Sequence, residues 1–138
     1  MGIFDKFKKK SQPENQDNNT GNFVKMGKFF EAEVNGIKIS ISDTIMSDET
    51  LKFTEKVLSV YPQKIMAIAE FISQDECIAD RYNLSKEEIA SKLHKPDVLI
   101  ADNGGLLSYC ENEIDCNHVI DVEFGGVLEE FYEVIING

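Results

Sequence analysis

Apolar and polar residues alternate in FFEAEV and again in IKISIS, the two runs that flank Asn35-Gly36. A period of two marks a strand, because successive side chains leave opposite faces of the backbone. Asn-Gly accepts the positive φ angles of a type I′ turn, so residues 29–42 predict a β-hairpin. Ile37, Ile39 and Ile41 then share one face, and Lys38, Ser40 and Ser42 the other. Past Ser42 the spacing becomes helical. Ser47 or Asp48 caps a helix that turns Leu51, Val57, Leu58 and Tyr61 inward. Proline has no N–H and blocks the preceding turn, so the pattern predicts a break at Tyr61-Pro62 and a second helix opening on Pro62. That helix carries Ile65, Ile68, Ala69 and Ile72 as a buried stripe and extends toward Cys77, or as far as Tyr82. Ser85-Lys86-Glu87-Glu88 reads as a capping box for a short helix with Ile89 and Leu93 inward, and Lys95-Pro96 ends helical structure.

Four further strands follow at 97–102, 106–111, 117–124 and 128–136, with turns at Asn103-Gly104-Gly105 and Gly125-Gly126. In the third of them His118, Ile120, Val122 and Phe124 point one way, and Val119, Asp121 and Glu123 the other. The order ββαααββββ implies an α+β fold. An antiparallel sheet with an N-terminal β-hairpin, two to three central helices and four C-terminal strands would carry helices on one face and carboxylates on the other. Before the hairpin, SQPENQDNNTGN has no means of forming a core, so residues 1–22 read as a basic tail and polar linker and residues 23–138 as one domain.

Charge sharpens this picture. The chain carries a net −11, yet Lys6, Lys8, Lys9 and Lys10 stand against Asp5 at its start, which leaves −14 for everything after residue 10. From Asp97 onward every charged side chain is a carboxylate, apart from the titratable His118. Nucleic-acid binding through such a domain is disfavoured, because affinity there comes from neutralising phosphates with basic side chains. A basic protein partner is attracted instead, although an acidic surface also serves solubility alone. Ile3, Phe4 and Phe7 lie at helical spacing among the early lysines; a frayed tail is the first expectation for residues 1–10, and contact with a membrane surface the second. No run approaches the roughly 20 apolar residues of a membrane span, and the start lacks the apolar region of a secretory signal. Gly2 is not followed by the Ser or Thr of a myristoylation signal, since Lys6 holds that place. Three scattered cysteines without a C-x-x-C suit a reduced, cytoplasmic protein.

Candidate chemistry centres on Cys110, Cys116 and His118, close together among carboxylates. Thiolate and imidazole bind zinc, but a structural site takes four ligands, usually in closely spaced pairs. The fourth here would be His94, Cys77 or a carboxylate, none of them specified by spacing. His118 shares its face with Ile120, Val122 and Phe124, so a partly buried histidine hydrogen-bonded at the sheet end is the preferred reading and metal the alternative. A nucleophilic cysteine needs an electropositive setting, and Glu111, Glu113 and Asp115 supply the opposite. Serine chemistry lacks a G-x-S-x-G, the glycine pairs lack a phosphate-loop pattern, and Asp102-Asn103-Gly104 lacks the register of a calcium loop. No catalytic residue and no cofactor are expected.

The segments LHKPDVLI, NHVIDVEF and IING within residues 94–138 resemble a small uncharacterised bacterial protein family, a domain of unknown function. In it a helix ends in an x-P strand, a later strand opens on a histidine, here His118, and the last strand ends in glycine, here Gly138. Some small acidic proteins of this sort are immunity proteins encoded beside toxins. The resembled family has no assigned reaction, and the charge pattern makes a non-enzymatic, protein-binding role of the immunity type the expectation. The acidic face expected to carry it comprises Asp115, Asp121, Glu123, Glu129, Glu130 and Glu133.

Overall fold

The computed structural model describes residues 22–137, so the expectations for residues 1–10, most of the linker and Gly138 lie outside the described residues. The first element, β1 (Val24–Met26), is a short strand that the hairpin pattern does not announce. β2 (Phe29–Val34) and β3 (Ile37–Ser42) form the expected hairpin, with Val34 opposite Ile37 and positive φ angles of 52° and 84° at Asn35 and Gly36. Ile39 and Ile41 are fully buried, as their alternation requires.

The helical block departs from expectation at Pro62. A single helix, α1 (Asp48–Ser73), starts at an N-cap in which Ser47 accepts from Thr50 N and runs through the proline without a break. Leu51, Val57, Leu58 and Tyr61 before Pro62, and Ile68, Ala69 and Ile72 after it, form one buried stripe. Each large apolar side chain gains about 1.5–3 kcal/mol on burial, which outweighs the roughly 3 kcal/mol cost of an interior proline. The proline itself is exposed, at a cavity of about 290 Å³ that it lines with Val34, Ile37, Leu58, Tyr61 and Ile65. The break falls later, where Asp75 caps α2 (Glu76–Tyr82). The capping box of Ser85 and Glu88 then opens α3 (Lys86–Lys92), as the sequence predicts.

β4 (Asp97–Ala101), β5 (Gly104–Tyr109), β6 (Val119–Gly125) and β7 (Glu130–Asn137) complete a seven-stranded sheet whose strands lie in chain order. Neighbours are antiparallel except β3 and β4, which pair in parallel from Lys38↔Asp97 to Ile41↔Ile100. The expected antiparallel sheet is therefore mixed at this one join, because the helices between β3 and β4 return the chain to the end from which β3 set out. Gly104 and Gly105 were expected in a turn but lie inside β5, where a Cβ would come within 2.4 Å of the Phe124 carbonyl or 2.3 Å of the Leu99 carbonyl. The turn itself is Asp102-Asn103, with Asn103 at a φ of 60°.

All three helices pack on one face of the sheet. Their apolar stripes join Ile39, Ile41, Val98, Ile100, Leu107, Ile120, Val122 and Phe124 in one core. Within it the hydroxyls of Tyr61 and Tyr109 hydrogen-bond at 2.7 Å, which satisfies two polar groups buried by apolar neighbours. Among the described residues no helix is long and apolar enough to cross a membrane.

Candidate functional site

The face opposite the helices is open, and the strand register fixes what it displays. One row across it reads Val24, Glu31, Ser40, Leu99, Leu106, Glu123 and Glu133 from β1 to β7. The adjacent row from β2 to β7 reads Glu33, Lys38, Asp97, Ser108, Asp121 and Ile135. Toward the other end lie Met26 beside Phe29 and Ser42, and farther along Gly125 beside Glu130. Lys38 is the one cation in these rows.

Between the carboxylates this face holds uncovered apolar surface: Val24, Met26, Phe29, Leu99, Ile135 and Tyr132 are all exposed, Val24 at 60%. Tyr132 sits where β7 bulges against β6, its hydroxyl donating to Glu130 and lying where a Cβ on Gly125 would be. A cleft of about 270 Å³ opens between Phe29, Glu31, Ser40, Asp97, Leu99 and Ser108.

Asp121 differs from its neighbours. It is only 9% exposed. Its Oδ2 accepts from Asn137 Nδ2 at 2.5 Å, whereas its Oδ1 is buried without a hydrogen-bond partner. A buried carboxylate oxygen without a donor is costly, and a cation or N–H donor arriving from outside would relieve it.

The loop from β5 to β6 contains the cysteine–histidine cluster. Its organiser is Asn112, which sequence reasoning passes over as one polar residue among many. Only 3% exposed, Asn112 donates from Nδ2 to the carbonyls of Tyr109 and His118, and its Oδ1 accepts from the N–H groups of Ile114 and Asp115. These four bonds fold the loop inward. Asp115 is thereby placed to accept from the Tyr82 hydroxyl and from Asn117 N, with His118 Nδ1 at 2.8 Å from its Oδ2. The His118 contact first and the Tyr82 hydroxyl second hold the Asp115 carboxyl down at about 2. Glu113 N donates to the Lys92 carbonyl and Glu113 Oε2 contacts His94 Nε2, so the loop is also tied to the end of α3.

His118 stands just before β6, partly buried as expected, with Nδ1 2.8 Å from Asp115 Oδ2, but the angles at this contact do not make it the hydrogen bond expected of that nitrogen. The three candidate ligands do not converge. His118 faces Asp115, Cys110 lies 3.8 Å from Asp97, and Cys116 is exposed. Among the described residues no group of three His, Cys, Asp or Glu side chains is arranged to hold a metal ion. Burial first, and then the Asp97 charge, push the Cys110 thiol up, which keeps it protonated and a poor nucleophile.

Of the six carboxylates expected on one acidic face, Glu123, Glu130 and Glu133 are exposed on the open sheet. Asp121 shares that face but is sunk into it, and Glu129 lies in the β6–β7 turn with Oε1 accepting from Val127 N. Asp115 is not on the face at all, because Asn112 turns it toward Tyr82. Glu31 and Glu33 join the set from β2. Their alternation in FFEAEV, which sets them opposite Ser40 and Lys38, already carries that signal. Fold and face together define an α+β protein with helices on one side of a mixed sheet and an acidic, partly apolar surface on the other. Comparison with family models, with curated proteins and with solved structures finds no match to this chain.

Proposed function

We propose that this chain is a non-enzymatic binding module that presents its open sheet face to a basic protein partner. The observation that carries the reading is Asp121 Oδ1, buried in that face without a donor, one row from Glu123 and Glu133 and in the same row as Asp97 beyond Ser108. An Arg or Lys head group supplies what this oxygen lacks, and charge-assisted hydrogen bonds are roughly twice as strong as neutral ones. Leu99, Ile135 and Tyr132 beside the carboxylates add the apolar contact that a charged rim alone does not provide. Residues 94–138 resemble a small uncharacterised bacterial family, and the analogy with small acidic immunity proteins makes a basic toxin the class of partner proposed. Exposed, unpaired Cys77, Cys110 and Cys116 suit the reducing cytoplasm in which such an inhibitor acts.

Binding to purified basic proteins, measured by calorimetry across a salt series, tests this. Affinity should fall steeply as salt rises, and Glu123→Lys with Glu133→Lys should slow association more than dissociation. Salt-independent binding, or binding unaffected by Asp121→Asn, would sink the reading.

A further inference from the structure

Parallel pairing of β3 with β4 brings the link between α3 and β4 against the turn of the first hairpin, and the middle of α1 lies beside both. Among these three segments is the cavity of about 290 Å³ walled by Val34, Ile37, Leu58, Tyr61, Pro62 and Ile65. The exposed residues Asn35, His94 and Lys95 complete its rim. The chain carries 25 carboxylate side chains, yet among the described residues none of them lines this cavity, whereas two basic side chains do. Asp97 and Glu111 line a separate hollow that shares His94 and Lys95 with it, and Glu113 pairs with the His94 imidazole. Lys95 lies across the hairpin turn, where a Cβ on Gly36 would come within 3.0 Å of its Cδ and Nζ. Its ammonium group donates to the Asn35 carbonyl, a neutral acceptor, and among the described residues no carboxylate forms an ion pair with it.

We propose that this cavity binds a medium-chain carboxylate, with the alkyl chain among the apolar walls and the head group on Lys95. Charge complementarity selects the head group. Charge-assisted hydrogen bonds between two ions are stronger than those to a neutral acceptor, so a carboxylate displaces the Asn35 carbonyl as the partner of Lys95. The walls select the body. An apolar cavity of roughly 150 Å³ admits one benzene, so about 290 Å³ takes a chain of roughly eight to ten carbons. Tyr61 is the only wall residue with a polar side chain, and its hydroxyl is bonded to Tyr109. Val34, Ile37 and Ile65 are half-buried, and a chain lying against them removes from water apolar surface that the fold alone leaves wet. The cavity is on the helix side of the sheet, away from the acidic face, so this site does not depend on the partner reading.

Methyl groups of Val34, Ile37, Leu58 and Ile65 report on the cavity directly, so titration with octanoate followed by methyl NMR tests the proposal. These signals should shift saturably, and each methylene added between hexanoate and octanoate should tighten binding by about four-fold. Octanol, with the same chain and no charge, should bind roughly tenfold more weakly at these methyls, and octylamine should not saturate them. Lys95→Met keeps the stem and removes the charge. In that variant octanoate should bind no more tightly than octanol, whose own affinity should be unchanged. Ile65→Trp fills the cavity and should abolish the shifts at Val34, Ile37 and Leu58, with far-UV circular dichroism confirming the fold. Lys95 is exposed, so its variant carries the test even where the bulkier change perturbs folding. Cavity methyls unmoved by octanoate would overturn the proposal. So would octanol or octylamine binding there as tightly as octanoate, or octanoate affinity that survives Lys95→Met.

Discussion

Asp115 illustrates how a side chain expected to be exposed becomes structural. The Tyr82 hydroxyl, Asn117 N and His118 surround its carboxyl and favour the charged form, which lowers its pKa to about 2 in the folded protein. A carboxyl whose folded pKa lies below its unfolded value contributes stability that is fully present above the unfolded value, near 3.9, and is lost as pH falls through the folded one. The protein should therefore lose stability between about pH 4 and pH 2. Asp115→Asn should flatten that part of the curve in urea titrations at successive pH values. Asn112 is the second such residue. Asn112→Ala removes partners from two carbonyls and two N–H groups and should cost about 2–3 kcal/mol in chemical denaturation. It should also speed amide exchange at Ile114 and Asp115, whose N–H groups it leaves unpaired. Nothing local distinguishes Asn112 from Asn117 in the sequence, since what marks it is burial by residues distant in the chain.

Among the elements, α1 shows burial overriding a local signal. Pro62 is the strongest helix breaker in its stretch, and its sequence context also fits a helix start. The helix continues because Tyr61 and Ile65 both belong to the stripe laid against the sheet. Pro62 then remains as a cost within an otherwise regular helix. Pro62→Ala should stabilise the protein by roughly 1–3 kcal/mol, part of the gain being cancelled by the freer unfolded chain. An unchanged or lowered urea midpoint would show that the ring contributes packing of its own. The hairpin of β2 and β3 and the capping box of α3 follow expectation for the converse reason. Turn chemistry at Asn35-Gly36 and the reciprocal Ser85–Glu88 bonds act within a few residues, and burial of Ile39, Ile41 and Ile89 reinforces them.

For the molecule as a whole, acidity acts twice. The domain's negative charges repel one another in the folded state, and salt screens that repulsion. Moderate salt should therefore raise the melting temperature of the free protein while weakening its complex with a basic partner. Thermal melts and calorimetry over the same salt series would test the opposite signs. Matching signs would mean that the face contributes little to binding. The sheet's chain-order topology keeps the whole open face on one side, with exposed Val24 and Met26 at one edge and Ile135 at the other. That arrangement gathers carboxylates from β2, β4, β6 and β7 onto a single surface.

Periodicity, turn chemistry and capping were enough to read the hairpin, the α3 start, the α+β order and the acidic character of the C-terminal strands. Each depends on residues a few positions apart, or simply on composition. The continuous α1, the parallel β3–β4 pair, the inward turn of Asp115, the sunken Asp121 and the apolar cleft beside Leu99 were not legible in this way. Each depends on which distant segments come to lie against one another. The energies that fix those contacts, burial against the sheet and hydrogen bonds to otherwise unsatisfied buried groups, exist only after the chain has folded.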